Sequence, residues 1–158
     1  MRVRYDIWQE LRAPRIPSTT PITSFSGEYR FLSNFWPTAD GKTAEHHYQA
    51  AKCAEYADAV RIMGSPTAGA AKRAGQDVEL RDDWYDVRVQ VMADAVARKF
   101  ADPELGRMLL STGDALLVEG NTWGDVFWGV DADTGEGHNI LGDLLMGVRA
   151  SLRAARGA

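Results

Sequence analysis

The sequence predicts a mainly α-helical protein, a single compact helical domain carrying a few short β-strands. Three observations carry that expectation. Apolar residues recur at three- and four-residue spacing over residues 84–96 and again over 141–152, the period of a helix with one buried face. Residues that start and stop helices flank both stretches, and also a third running from Thr43 to Gly64. The β-like runs are short and cut by glycine and proline. At 158 residues the chain can bury a core without disulfide or metal support.

Taken in order, residues 1–22 hold Arg2, Arg4, Arg12 and Arg15 with Pro14, Pro17 and Pro21, and read as a loosely ordered N-terminal arm before a domain spanning 23–155. Residues 22–25 and 29–35 are short, aromatic and β-like, and Pro37 with Asp40-Gly41 closes them. Thr43 is the expected N-cap of a helix through Glu45 and Lys52 that continues, with or without a break, to Met63, where Gly64 stops it. Ser65 is expected to cap a short helix whose first position is Pro66. Asp82 or Asp83 opens the most regular helix, with Trp84, Val87, Val91 and Ala95 on one face and Val89, Met92 and Val96 widening it. Asp102-Pro103 restarts a helix that carries Leu105, Met108 and Leu109 on one side. Residues 115–118 and 126–130 read as two strands around a tryptophan-rich loop, and 133–137 as a turn. Leu141, Leu144, Leu145, Val148 and Leu152 form a final amphipathic helix whose terminal arginines suit its dipole.

Composition excludes several classes. The net charge of −4 and a pI near 5.3 leave no global basic surface for long nucleic acid, only room for a local cleft. Cys53 is the only cysteine, so no intramolecular disulfide forms, which fits a reducing compartment; a cytoplasmic location is expected. No apolar run reaches the roughly 18–20 residues of a membrane span, so no membrane partner is expected.

Chemistry concentrates in two places. On the helix from Thr43, Glu45, Tyr48, Gln49 and Lys52 fall at i, i+3, i+4 and i+7 and share one face. Such a stripe is either a solvated surface or the wall of a pocket, where burial would shift Glu45 and Lys52. In the loop 119–129, Trp123 and Trp128 stand among glycines with Asn121 and Asp125. That combination fits a hairpin pinned to the core or an aromatic pocket rim with aimed polar groups. His46 and His47 point about 100° apart on a helix, so no metal site is expected of them. Cys53 reads as a small buried hydrophobe. Gly135-Glu136-Gly137 with Asn139, at a helix start, offers amides that suit a phosphate.

Six blocks in order resemble the YbiA-like, or NADAR, family. They are Phe31-Leu-Ser-Asn-Phe-Trp-Pro37; Ala44-Glu-His-His-Tyr-Gln-Ala-Ala-Lys52; Ser65-Pro66 leading to Lys72-Arg73; Leu80-Arg-Asp-Asp-Trp84 with Val89-Gln-Val-Met92; Asn121-Thr-Trp-Gly-Asp125 with Trp128-Gly129; and Gly137-His-Asn-Ile-Leu-Gly142 with Leu144-Leu-Met146. The resemblance implies the YbiA-like fold and an N-glycosidase that needs no cofactor. Its substrates would be phosphorylated ribosyl or ADP-ribosyl nucleotides: early riboflavin-pathway intermediates, or ADP-ribosyl-guanine, including ADP-ribosylated DNA as a partner.

Carried over residue by residue, the resemblance makes Glu45 the catalytic carboxylate, Lys52 its assistant and Asp125 the runner-up carboxylate. Tyr48, Trp84, Trp123 and Trp128 would wall the pocket. Ser33, Asn34, Phe35, Asn121, Gly129 and Asn139 would position substrate. The rival from another class is a non-catalytic module that binds ADP-ribose or NAD. Oligomeric state and the choice among ribosylated substrates lie beyond the sequence.

Overall fold

The computed structural model describes residues 5–6 and 20–157, and it is mainly helical with one small sheet, as the sequence predicts. Contacts gather the chain into two compact units: a helical unit, Ser33–Leu105, and a sheet-bearing unit made of the chain on either side of it.

In the helical unit, α1 spans Ala44–Ala51. Thr43 caps it as predicted: its backbone is extended, and its hydroxyl accepts the His46 amide at 3.2 Å. His46 completes a capping box, since its Nδ1 accepts the Thr43 amide at 3.3 Å. The helix does break, and α2 runs Tyr56–Met63 to a C-cap at Gly64. The next helix, α3, is Ala68–Ala74, and its cap is Thr67, whose Oγ1 accepts the Ala70 amide at 3.1 Å. This corrects the start expected at Ser65-Pro66. Ser65 is still finishing α2, its amide bonded to Ile62 and its carbonyl to His46 Nε2, so a helix cannot begin there.

Helix α4, Trp84–Phe100, follows Asp83 and buries Trp84, Met92, Ala95, Val96, Lys99 and Phe100. Val89, expected on the buried face, is exposed. Between Trp84 and Met92 the helix is only partly covered, and what packs over it, not the period, decides burial. Helix α5, Pro103–Ser111, starts on Asp102, whose Oδ1 accepts the amides of Glu104 and Leu105 at 2.9 and 3.1 Å.

Residues 29–35, which cross from the sheet-bearing unit into the helical one, do not form the expected strand. A 3-10 helix occupies Gly27–Leu32 and buries Phe31 and Leu32 together. Adjacent residues on a strand point to opposite faces, so that joint burial favours a helical turn. The sheet has the order β1-β4-β3-β2, with β1 Tyr5–Asp6, β2 Gly120–Asn121, β3 Val130–Asp131 and β4 Glu136–Gly137. β1 pairs antiparallel with β4, β3 antiparallel with β4, and β2 parallel with β3.

The strands expected at 115–118 and 126–130 are thus displaced. The first contributes one bridge, Leu117 to Ile22. In the second, Asp125 Oδ1 takes the amides of Phe127 and Trp128 at 3.2 and 2.9 Å, which removes both from any ladder. The turn expected at 133–137 forms on Asp131, and its last two residues are β4. Of the arm expected at 1–22, residues 1–4 and 7–19, with Arg2, Arg4, Arg12, Arg15, Pro14 and Pro17, lie outside the described residues.

Helix α6, Ile140–Arg156, buries Leu141, Leu145 and Arg149, and the Arg149 guanidinium donates to Thr112 Oγ1 at 2.8 Å. Among the described residues, no helix is long and apolar enough to cross a membrane.

Candidate active site

Helix α1 presents its polar stripe inward. Glu45 is only 7% exposed and Gln49 is buried beside it; Gln49 Nε2 donates to Glu45 Oε1 at 2.7 Å. Of the two readings of this stripe, the solvated surface is excluded. Burial raises the Glu45 carboxyl above the ordinary range, opposed by the Gln49 hydrogen bond and by the fields of Lys72, Lys52 and His46. Lys52, at the C-cap of the same helix, is half-buried, and burial lowers its ammonium against the fields of Cys53 and Glu45. A proton therefore binds Glu45 more readily, and leaves Lys52 more readily, than in water.

Aromatic rings flank this helix. Tyr48 packs on the buried Trp84 with ring centroids 5.1 Å apart and planes inclined 58°. Phe35 is 45% exposed, with Lys72 Nζ 5.9 Å from its ring centre. The loop carrying Phe35 is bolted down on both sides. The Asn34 carbonyl accepts the Glu45 amide at 3.2 Å, and Asn34 Nδ2 reaches Met92 Sδ at 3.3 Å. Ser33 Oγ accepts the Phe35 amide at 3.2 Å, and its carbonyl accepts Lys99 Nζ at 2.6 Å. Residues 33–35, Glu45, Tyr48, Lys52 and Trp84 thus belong to one unit.

Lys99 has no role in the sequence reading, which places Gln49 on the polar stripe and Lys72 in a family block without assigning either a function. A lysine in register with Met92 and Ala95 on the buried stripe of α4 was the available signal for the first. For Gln49 the signal was its i+4 spacing from Glu45. Lys99 has burial alone holding its ammonium down at about 7.

His46 is structural. A backbone amide can only donate and a carbonyl only accept, so His46 accepts Thr43 at Nδ1 and donates from Nε2 to Ser65 O at 3.0 Å. His47 contacts Arg98 through Nδ1. Cys53, expected to be buried, is half-buried at a bridge to Leu80, and burial raises its thiol. Among the described residues no group of three or more His, Cys, Asp or Glu could hold a metal ion.

The tryptophan loop has a different character. Asn121 is buried; its Oδ1 accepts the Asp125 amide at 3.0 Å, and its Nδ2 donates to the carbonyls of Asp125 and Val130 at 2.7 and 3.2 Å. Asn139 is 0% exposed in a left-handed conformation at φ 49°, Oδ1 accepting the Glu119 amide and Nδ2 donating to Leu117 O, both at 3.0 Å. A side chain at Gly129 would strike the Glu119 carbonyl, so glycine is there for close backbone approach. Asp125, as described, caps the amides of Phe127 and Trp128. These polar residues fold the loop. What the loop offers outward is Trp123, 69% exposed on a cleft of about 460 Å³ shared with Ser24, Thr122 and Asp131. Trp128 is half-buried, edge-on to Phe127 at 4.9 Å.

Comparison with known proteins identifies the family. The NADAR domain family matches residues 22–153. N-glycosidase YbiA of Escherichia coli strain K12 is 41% identical over 156 residues, covering 90% of this chain and 96% of that protein. Riboflavin biosynthesis protein VVA0006 of Vibrio vulnificus is 39% identical across 96% of this chain, which spans 43% of that longer protein. The NMR structure of E. coli YbiA superposes with a TM-score of 0.76 at 35% identity, covering 99% of this chain and 95% of that one. The chain belongs to the NADAR family and is by class an N-glycosyl hydrolase.

Proposed function

We propose that this enzyme hydrolyses the bond between a base nitrogen and the anomeric carbon of a phosphorylated ribosyl or ADP-ribosyl group, with Glu45 as the catalytic carboxylate. The observation that carries this reading is the Glu45–Gln49 pair. A buried carboxylate is held, among the described residues, by one amide donor, with the ammonium groups of Lys52 and Lys72 near enough to bias its titration. Breaking the C–N bond leaves its electron pair on the base and positive charge on the sugar. A carboxylate facing that sugar stabilises the charge electrostatically and accepts a proton from the water whose oxygen adds to the anomeric carbon. The base nitrogen ends protonated, and the products are free base and reducing sugar phosphate.

Lys52 assists in one of two ways. It either supplies positive charge near the phosphorylated substrate or attacks the ring-opened sugar as an amine, expelling water to give an imine that is later hydrolysed. Its depressed ammonium favours the second, since the neutral amine is the nucleophile. Trapping with borohydride separates them, since only an imine is reduced to a stable enzyme–sugar adduct. Trp84, Tyr48 and Phe35 support base binding in the helical unit, and Trp123 offers a stacking face in the other, each stacked base contributing about 1–3 kcal/mol. Asp125, Asn121, Gly129 and Asn139 are read as loop scaffold.

The name of the Vibrio vulnificus relative, a riboflavin biosynthesis protein, supports a riboflavin-pathway substrate, and ribosylamino-pyrimidine phosphates are one class we propose. ADP-ribosyl-guanine, free or in DNA, is the other. Purified protein given each substrate should release base and sugar from at least one, and Glu45→Gln should abolish that release. Tight binding of both with no release from either would replace this reading with the ADP-ribose-binding module.

A further inference from the structure

Glycine 75 stands at the C-cap of α3, buried, where nothing in the backbone demands glycine. Its φ of −82° and ψ of −2° are ordinary right-handed values, and its amide makes a normal helical bond to Ala71 O at 3.0 Å. The space beside it is what is unusual. A Cβ at this position would collide with Gln49 Oε1 and lie 3.0 Å from Gln49 Cδ and 3.1 Å from Lys52 Cε. Gln49 Oε1 is also buried without a hydrogen-bond partner among the described residues. A primary amide that leaves its oxygen unsatisfied would turn if it could. Here one end is tied to Glu45 Oε1 and the other fills the space a Gly75 Cβ would take, so among the described residues the side chain of Gln49 bonds to Glu45 alone.

We propose that Gly75 is a positioning residue: the missing side chain lets the end of α3 close on Gln49 and the Lys52 stem, and so holds the Gln49 amide on Glu45. This rests on the reading of Glu45 as the catalytic carboxylate. Because the Gln49 donor favours the ionised carboxylate, displacing it moves Glu45 titration to higher pH.

The test follows the Glu45 carboxyl carbon by NMR in the wild type, Gly75→Ala, Gln49→Met and Gly147→Ala. The last is a control on α6, where a Cβ meets nothing within 4 Å. Gly75→Ala and Gln49→Met should each raise the midpoint by about one pH unit, a tenfold change in proton affinity, from loss of one hydrogen bond to a charged group. The acidic limb of the kcat profile should shift with it, and Gly147→Ala should change neither. Unchanged Glu45 titration in Gly75→Ala overturns the proposal, whatever happens to activity. A shifted midpoint in an enzyme that cleaves no ribosyl substrate leaves the Gly75 assignment standing and removes the catalytic reading. Should Gly75→Ala fold poorly, its thermal midpoint is compared on the native and Gln49→Ala backgrounds. The loss should largely vanish where Gln49 has been shortened; an equal loss on both overturns the proposal.

Discussion

In the helical unit, among the described residues, Glu45 keeps a single donor and Lys99 a single backbone acceptor, while in the sheet-bearing unit the amides of Asn121 and Asn139 and one carboxylate oxygen of Asp125 bond neighbouring backbone. The first pattern leaves ionisable groups in low dielectric with shifted proton affinities, which costs stability and supplies reactivity. The second ties polar side chains to the loop backbone and leaves Trp123 and Val126 facing outward. What each polar side chain bonds to separates the two units.

The largest effect that could break this comparison is at Glu45. Glu45→Gln keeps an acceptor for Gln49 and should reduce kcat by about 10²–10⁴-fold in a base-release assay. The same variant should melt higher at neutral pH. The folded-state carboxyl titrates above its ordinary value of 4.5, so its contribution to stability is full below that value and is lost as pH rises through the folded midpoint. The variant's advantage should thus disappear on acidification toward pH 4. A variant less stable than wild type at pH 7 would mean that the carboxylate is not under strain.

Trp84→Ala comes next. Removing a buried indole stacked on Tyr48 should cost about 3–5 kcal/mol in denaturant unfolding. Lys99→Met sharpens the electrostatic side. The Lys99 ammonium is lowered from 10.5 to about 7 by burial, so its contribution to stability is present above 10.5 and is lost as pH falls to about 7. Wild type should weaken against the variant across that window, and parallel melting curves from pH 7 to 10 would contradict the assignment.

Asn139→Ala tests the other unit. Losing bonds to Leu117 and Glu119 while keeping a left-handed residue should cost about 2–4 kcal/mol of stability. Substrate affinity of the folded fraction should be unchanged; a selective rise in KM would return Asn139 to the substrate. Trp123→Ala should show the smallest structural effect, within about 0.5 kcal/mol for an exposed side chain. It should still raise KM if its face stacks a base, and unaltered KM for every substrate would leave the loop a purely structural feature.

Much of this protein is legible in the sequence because it depends on neighbours along the chain. The Thr43 cap, the Gly64 stop, the start of α5 on Asp102 and the long run of α6 all follow from local period and capping chemistry. The shared face of Glu45, Tyr48, Gln49 and Lys52 is likewise a consequence of helix geometry. Tertiary structure alone decided the rest. It turned residues 27–32 into a 3-10 helix, left Val89 exposed, and let Asp125 take amides that a strand would have used. It also decided that the Glu45 face is buried, that Asn121 and Asn139 bond backbone groups of the sheet-bearing unit, and that Gly75 presses on Gln49. The physical reason is the same in each case. Helix period and caps are set by bonds within a few residues, whereas burial, hydrogen-bond competition and steric closure are set by groups far apart in the sequence.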